Sequence, residues 1–232
     1  MSTEAAPIPD LGVPIAKRVV AEATGTALLL AVIVGSGIMA QGLFPDSAGL
    51  TLLANALATG GGLVALILTF ADVSGAHFNP VVTLYDAASG ARPWRDVGPY
   101  IGAQIVGGVI GVLATHVMFE HQVLELSTKD RSGVPLMFSE LVATFGLIAT
   151  IWGVARRRGT MVPYAVAAYI VAAYWFTPST SFANPAVTIA RACTESFAGI
   201  RPDDVPGFIV AQLVGGAAAA VLFRWLHEEI RT

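Results

Sequence analysis

Asn79-Pro80 and Asn184-Pro185 set a hydrogen-bonding amide beside a helix-starting proline, each inside an apolar segment. Proline suits the first helical turn, because its missing N–H would have no partner there and its φ is preset. Asparagine just before it is a good N-cap. Each pair therefore predicts a helix starting at the asparagine, with an amide left to donate hydrogen bonds to a passing solute. Two carboxylates, Glu22 and Glu140, lie in long apolar runs, where an acid is a functional candidate by default. They could couple protons to transport. Because both hold the same position in a repeat described below, they read better as acceptors for loop N–H groups, each holding one half-helix in place. His77, two residues before Asn79, either lines a vestibule or hydrogen-bonds its loop. Other chemistries lack their residues: the four histidines are scattered and there is one cysteine, so no metal cluster, intrachain disulfide, cofactor or enzymatic nucleophile is expected. No nucleic-acid partner is expected either.

The elements that must position these residues cross a membrane. Of 232 residues, 55% are hydrophobic and 12% charged, against about 25% charged in a soluble domain. The charges fall in gaps between apolar stretches. Six runs, roughly 18–41, 49–70, 98–119, 137–155, 161–177 and 206–227, approach the ~20 residues that cross about 30 Å of hydrocarbon, the fifth being short. Lys17 and Arg18 precede the first run as they would in a signal peptide. From Val19 to Ala40, however, it exceeds the ~7–15 residues of a signal's apolar core, so a retained span is expected. Residues 1–16, with Pro7, Pro9 and Pro14, read as a flexible N-terminal tail and 228–232 as a C-terminal one. Six spans put both termini on one side. With that side cytoplasmic, nine of the 13 Lys and Arg residues fall inside, the Arg156–Arg158 cluster among them, as the positive-inside rule requires.

The chain also repeats itself. Tyr100-Ile-Gly-Ala-Gln-Ile-Val-Gly-Gly108 reads against Phe208-Ile-Val-Ala-Gln-Leu-Val-Gly-Gly216, Glu22-Ala-Thr-Gly-Thr26 against Glu140-Leu-Val-Ala-Thr144, and Asn79-Pro-Val-Val-Thr83 against Asn184-Pro-Ala-Val-Thr188. Three landmarks recur in one order. The expected organisation is a first repeat over 17–119 with a half-helix 79–90, an extracellular connecting loop 120–136, and a second repeat over 137–227 with a half-helix 184–194. Three spans per repeat is an odd number, so the second copy enters the membrane from the opposite side and the pseudo-two-fold axis lies in the membrane plane. A half-helix of 12 residues is about 18 Å long, roughly half the hydrocarbon. The two N-termini then meet near the centre and make a positive focus that disfavours cations and protons. Non-helical backbone at that depth has to line a cavity or be buried in protein.

Ser74-Gly-Ala-His-Phe-Asn-Pro-Val-Val-Thr83 and Ser181-Phe-Ala-Asn-Pro-Ala-Val-Thr188 resemble the twin signature loops of the aquaporins and glycerol facilitators, the major intrinsic proteins. Glu22 and Glu140 match that family's paired helix glutamates. The resemblance covers nearly all of residues 17–227. It implies an all-α membrane protein of six transmembrane helices and two re-entrant half-helices, assembled as a homotetramer with one pore per protomer. By this likeness Asn79, Asn184, Val81 and Ala186 form the central constriction, and Glu22, Glu140 and His77 support the half-helices. The chain departs from the pattern at Val81, where the family has Ala, and at Val187, where it usually has the Arg of the outer constriction. Arg191, one turn further on, is not expected to substitute fully. The other constriction positions fall at Thr59, at Ala172 or Ala173, and at Ser181 or Phe182. Such a set is small and mildly polar and implies a wide pore. Gly35-Ser-Gly-Ile-Met39 and Asn184-Pro-Ala-Val-Thr-Ile-Ala-Arg191 are similar to the aquaporins of bacterial arsenic-resistance operons. That likeness implies a passive channel in a bacterial inner membrane for water, glycerol-like polyols and neutral arsenite. The alternatives are an ordinary water or glycerol channel and, in a different class, a proton-coupled secondary transporter.

Blander readings serve the remaining residues. Asp72 is expected to satisfy loop backbone, Gly60-Gly-Gly62 to allow close helix packing, and Gln104 and Gln212 to join helices. His116 and His121 are expected to be solvated, and Cys193 to be packed.

Overall fold

The computed structural model describes residues 12–228, with the side chains of 227 and 228 excepted. Most of the tail expected over 1–16, the C-terminal tail beyond 228, Arg231 and the His227 side chain lie outside the described residues. Regular structure among the described residues is helical: α1 Ile15–Leu43, α2 Ala48–Ser74, α3 Pro80–Ala88, α4 Val97–Met118, α5 Val134–Arg158, α6 Val162–Phe176, α7 Pro185–Arg191 and α8 Val205–Glu228. Local chemistry sets the ends. Ser47 Oγ accepts from Leu50 N at 3.3 Å to start α2, and Gly75, at φ +90°, ends it in the left-handed conformation that glycine adopts without cost. The half-helices are shorter than their sequence ranges suggested, with Asn79 and Asn184 as N-caps and a proline next. The helical stretch 134–176 folds back on itself where Arg158 leaves helical geometry (φ −142°, ψ 53°). Tyr169 Oη on α6 then reaches Ala143 O on α5 at 3.1 Å.

The packing follows the repeat. α1 packs on α2 and α4; α5 packs on α6 and α8; α2 meets α6. Each half-helix touches the last long helix of its own half and of the other, α3 on α4 and α8, α7 on α8 and α4. Exchanging α1–α4 for α5–α8 leaves this contact scheme unchanged, as a two-fold relation demands. Glycines permit the closest approaches. Gly107 and Gly111 on α4 lie against the backbone of Ala23 and Ala27 on α1, and Gly215 on α8 lies against Leu141 on α5. A Cβ at any of the three would collide with a carbonyl. Gly60 lies against Val171 and Gly62 against Val32, while Gly61 meets open space. Without water or a hydrophobic driving force between spans, such small-residue contacts and interhelical hydrogen bonds hold the bundle.

Candidate functional site

The loops leading into α3 and α7 are built alike. Positive φ recurs in one pattern, at Gly75, Ala76 and Phe78 in the first loop and at Thr180, Ser181 and Ala183 in the second. This is a costly region for residues with a Cβ, persisting where the surroundings over-determine it. Here the surroundings are the two buried carboxylates. Glu22 accepts from Ser74 Oγ (2.6 Å), His77 N (2.9 Å), Phe78 N (2.7 Å) and Gln104 Nε2 (2.8 Å). Glu140 accepts from Phe182 N (2.8 Å), Ala183 N (2.8 Å) and Gln212 Nε2 (2.6 Å). Gln104 and Gln212 also donate to Thr83 and Thr188, which in turn donate to Asn79 O and Asn184 O. The asparagines cross between halves: Asn79 Nδ2 donates to Ala183 O at 2.8 Å, and Asn184 Nδ2 donates to Phe78 O at 2.7 Å. Each Nδ2 carries two hydrogens, so one on each side chain stays available to a solute.

A cavity of about 770 Å³ runs past both asparagines. Its long walls are apolar stripes at one-turn spacing: Leu29 and Ile33 on α1, Leu63 and Ile67 on α2, Leu147 and Ile151 on α5, Val166 and Ile170 on α6. Thr59, Ser181, Phe182 and Val187 lie on the wall, so both members of the Ser181/Phe182 pair are there. Ala172 and Ala173 are not. Ala172 is exposed on the outside of the bundle and Ala173 is fully enclosed. The α6 stripe continues instead to Tyr174, whose hydroxyl lies 3.1 Å from Thr59 Oγ1. Nor do Val81 and Ala186 reach the cavity wall: Val81 packs with Ile148 and against Gly216 of α8, and Ala186 is fully enclosed, its carbonyl oxygen lying near Gly108 of α4. A side chain two residues past an N-cap points about 200° around the helix from it, toward the neighbouring span. Val82 is the α3 residue on the wall.

The two mouths differ in charge. At the α3 mouth, charges are paired: His77 Nε2 and Arg92 Nε lie 3.3 and 3.1 Å from Asp86 Oδ2, Arg92 Nη2 donates to Ser74 O at 3.0 Å, and Arg18 pairs with Asp96 at 2.7 Å. His77 thus lines the vestibule and also bonds its loop, Nδ1 lying 3.1 Å from Thr83 Oγ1. At the α7 mouth stands Arg191, a residue sequence reasoning discounted. Its Cζ lies 3.4 Å from the Phe182 ring centroid, its Nε donates to Ala198 O, and its side chain is on the cavity wall. The rule that an intramembrane cation marks a functional site would have flagged it. Arg131, from the loop joining the halves, also lies over Phe182, at 4.8 Å, and donates to Gly199 O and Ser179 O. Burial pushes Arg131 down to about 10. Burial, with the charges of Arg131 and Arg191, pushes the nearby Lys129 ammonium down to about 8. His116 is buried rather than solvated, between Val123 O (3.0 Å) and Thr194 Oγ1 (2.8 Å), because the connecting loop folds over the end of α4. Asp72 is exposed on the last turn of α2.

A family model described as "Major intrinsic protein" matches residues 12–177. The chain is 51% identical over 215 residues to a protein named aquaglyceroporin AqpS from Rhizobium meliloti (strain 1021), covering 93% of this chain and 92% of that one. It is 28% identical to aquaporin Z of Bradyrhizobium diazoefficiens over 92% and 94% of the two chains. In fold it is similar to the X-ray structure of the aquaglyceroporin from Plasmodium falciparum, with a TM-score of 0.72 at 18% identity, covering 90% of this chain and 96% of that one.

Proposed function

The chain belongs to the major intrinsic protein family of membrane channels, and from that premise we propose that its cavity conducts small neutral solutes passively: water, glycerol-like polyols and neutral arsenite. The observation that carries this reading is Val187 on the cavity wall, where the family usually sets the arginine that narrows its outer constriction. Valine there takes less space than an arginine would, Thr59 and Ser181 on the same wall offer hydroxyls to a polyol, and Arg191 lies to the side over Phe182. Arsenite is an uncharged trihydroxide at neutral pH and presents the same kind of surface. The apolar stripes leave a solute few partners, so the two asparagine amides supply donors where α3 and α7 begin. Their N-terminal dipoles disfavour cations there. A proton-coupled transporter is the weaker reading: Glu22 and Glu140 are fully enclosed and accept loop N–H groups, away from the cavity wall. By family likeness and the charge bias, the protein acts as a homotetramer in a bacterial inner membrane with both termini, and the α3 mouth, on the cytoplasmic side.

Stopped-flow light scattering on proteoliposomes, with water, glycerol, larger polyols and arsenite as solutes, tests the proposal. Fast flux of all of them without an ion gradient is expected. Val187→Arg should cut polyol and arsenite flux by about tenfold or more, equivalent to ~1.4 kcal/mol on the barrier, with water least affected. Undiminished polyol flux in that variant would remove Val187 from selectivity, and water flux alone in the parent protein would make this a water channel.

A further inference from the structure

Three cations gather at the α7 mouth. Lys129, Arg131 and Arg191 are close enough to act on one another, and none of them makes an ion pair among the described residues. Glu195 and Glu140 act on Lys129 and Arg131 only across a distance: the Glu140 oxygens are taken by loop N–H groups and Gln212, Glu195 accepts from Thr128 N, and Asp204 accepts from Arg131 N and the Arg201 guanidinium. Lys129 Nζ and the Arg131 guanidinium at least find carbonyl oxygens, of Phe197 for the first and of Gly199 and Ser179 for the second. Arg191 differs. Only its Nε is engaged, and its two Nη groups have no acceptor among the described residues although the side chain is 1% exposed. On the same wall the Ser181 hydroxyl, 3% exposed, also has no partner among them.

A guanidinium keeps its charge in proteins and presents parallel N–H donors that match two oxygens of a planar oxyanion. Thr59 and Tyr174, across the mouth, add a pair of hydroxyls, and Phe182 and Val187 add apolar surface that suits a weakly hydrated ion. We infer that this mouth is a binding subsite for a small monovalent oxyanion of the nitrate or carboxylate kind, with the Arg191 Nη groups as charged donors and Ser181 Oγ as a neutral one. The inference rests on the proposed reading of the cavity as a conduction path, because a bound anion then stands in the way of neutral solutes. It does not follow them through. Past the asparagines the wall is apolar until the paired charges of the α3 mouth, so along that stretch the anion meets nothing that replaces its hydration. Oxyanions therefore act as blockers that compete with polyols.

The probe is nitrate, replacing chloride at constant osmolarity. Nitrate binding to the detergent-solubilised full chain is measured by isothermal titration calorimetry, and polyol flux in its presence by stopped flow. Saturable binding and slowed flux are expected. Arg191→Gln should weaken binding by about tenfold or more, Arg191→Lys should fall between the two, and Ser181→Ala should weaken it less than Arg191→Gln. The binding measurement needs no transport, so a protein that binds nitrate but passes no polyol would sink the conduction reading and leave the subsite standing. Absence of saturable binding overturns the subsite. So does binding unchanged in both Arg191→Gln and Ser181→Ala, which would move the anion to the Arg92 mouth. A nitrate current through the vesicles with polyol flux undiminished overturns the block.

Discussion

Glu140 holds three donors with two oxygens, and its two loop N–H groups have no other acceptor among the described residues. Glu140→Gln turns one acceptor into a donor facing N–H groups. Leaving buried donors unsatisfied costs about 1–3 kcal/mol each, so unfolding temperature in detergent should drop and solute flux should be lost with it. A variant that keeps both would mean the carboxylate does not hold the loop. Glu22→Gln should behave in the same way, since Glu22 sits in the matching network with one further donor, Ser74. These residues were legible in the sequence because cap chemistry and the repeat are local signals: an asparagine before a proline, and a glutamate recurring in register, each state their partner class. The α6 wall was not legible, because counting across a loop of uncertain length fixes position only to a residue or two, and one residue turns a side chain by about 100°. That error separates Ala173, enclosed, from Tyr174, on the wall. Arg191 was discounted for lying one turn past the usual position, but its long side chain lies across Phe182 and brings the guanidinium back to the mouth.

Helix contacts in this bundle are set by where backbones can touch. Gly107→Val should force α4 off the Ala23 carbonyl of α1 and destabilise the protein by about 1–3 kcal/mol, whereas Gly61→Ala, facing open space, should be close to neutral. Thermal unfolding of the two variants in the same detergent checks this, and equal effects would show that α1 and α4 do not depend on close approach. The six spans could be read from length and apolarity, and the half-helices from their prolines. Their ends could not. α1 begins at Ile15 and runs to Leu43, and α2 runs on to Ser74, because a helix extends beyond the apolar run until a cap or turn stops it. The fold-back between α5 and α6 comes at Arg158, with Gly159 next, in the charged gap that separates the apolar runs 137–155 and 161–177.

The connecting loop is a third structural unit of the whole molecule, since it ties the halves together: Ser127 N donates to Ala192 O at 3.0 Å, Arg201 N donates to Lys129 O at 2.8 Å, and Arg131 reaches two carbonyls near α7. This loop carries a group that makes stability depend on pH. Lys129 is pushed from its usual 10.5 to about 8 in the folded protein. Between those values the unfolded chain binds a proton that the folded chain has released, so Lys129 should make stability rise with pH across that window. Unfolding midpoints from pH 7 to 10.5 should show this rise for the parent and lose it in Lys129→Met; a slope unchanged in that variant would assign the titration elsewhere. The hydrogen bonds that the asparagines make across the halves have a further consequence, which concerns the order of synthesis. Each asparagine amide is satisfied by a carbonyl that the other half supplies. As the chain leaves the ribosome, α1 to α4 can enter the bilayer and pack, yet the Phe78 carbonyl and the Asn79 amide wait for a segment about a hundred residues later. The lumen, walled by residues of both halves, is thus finished last.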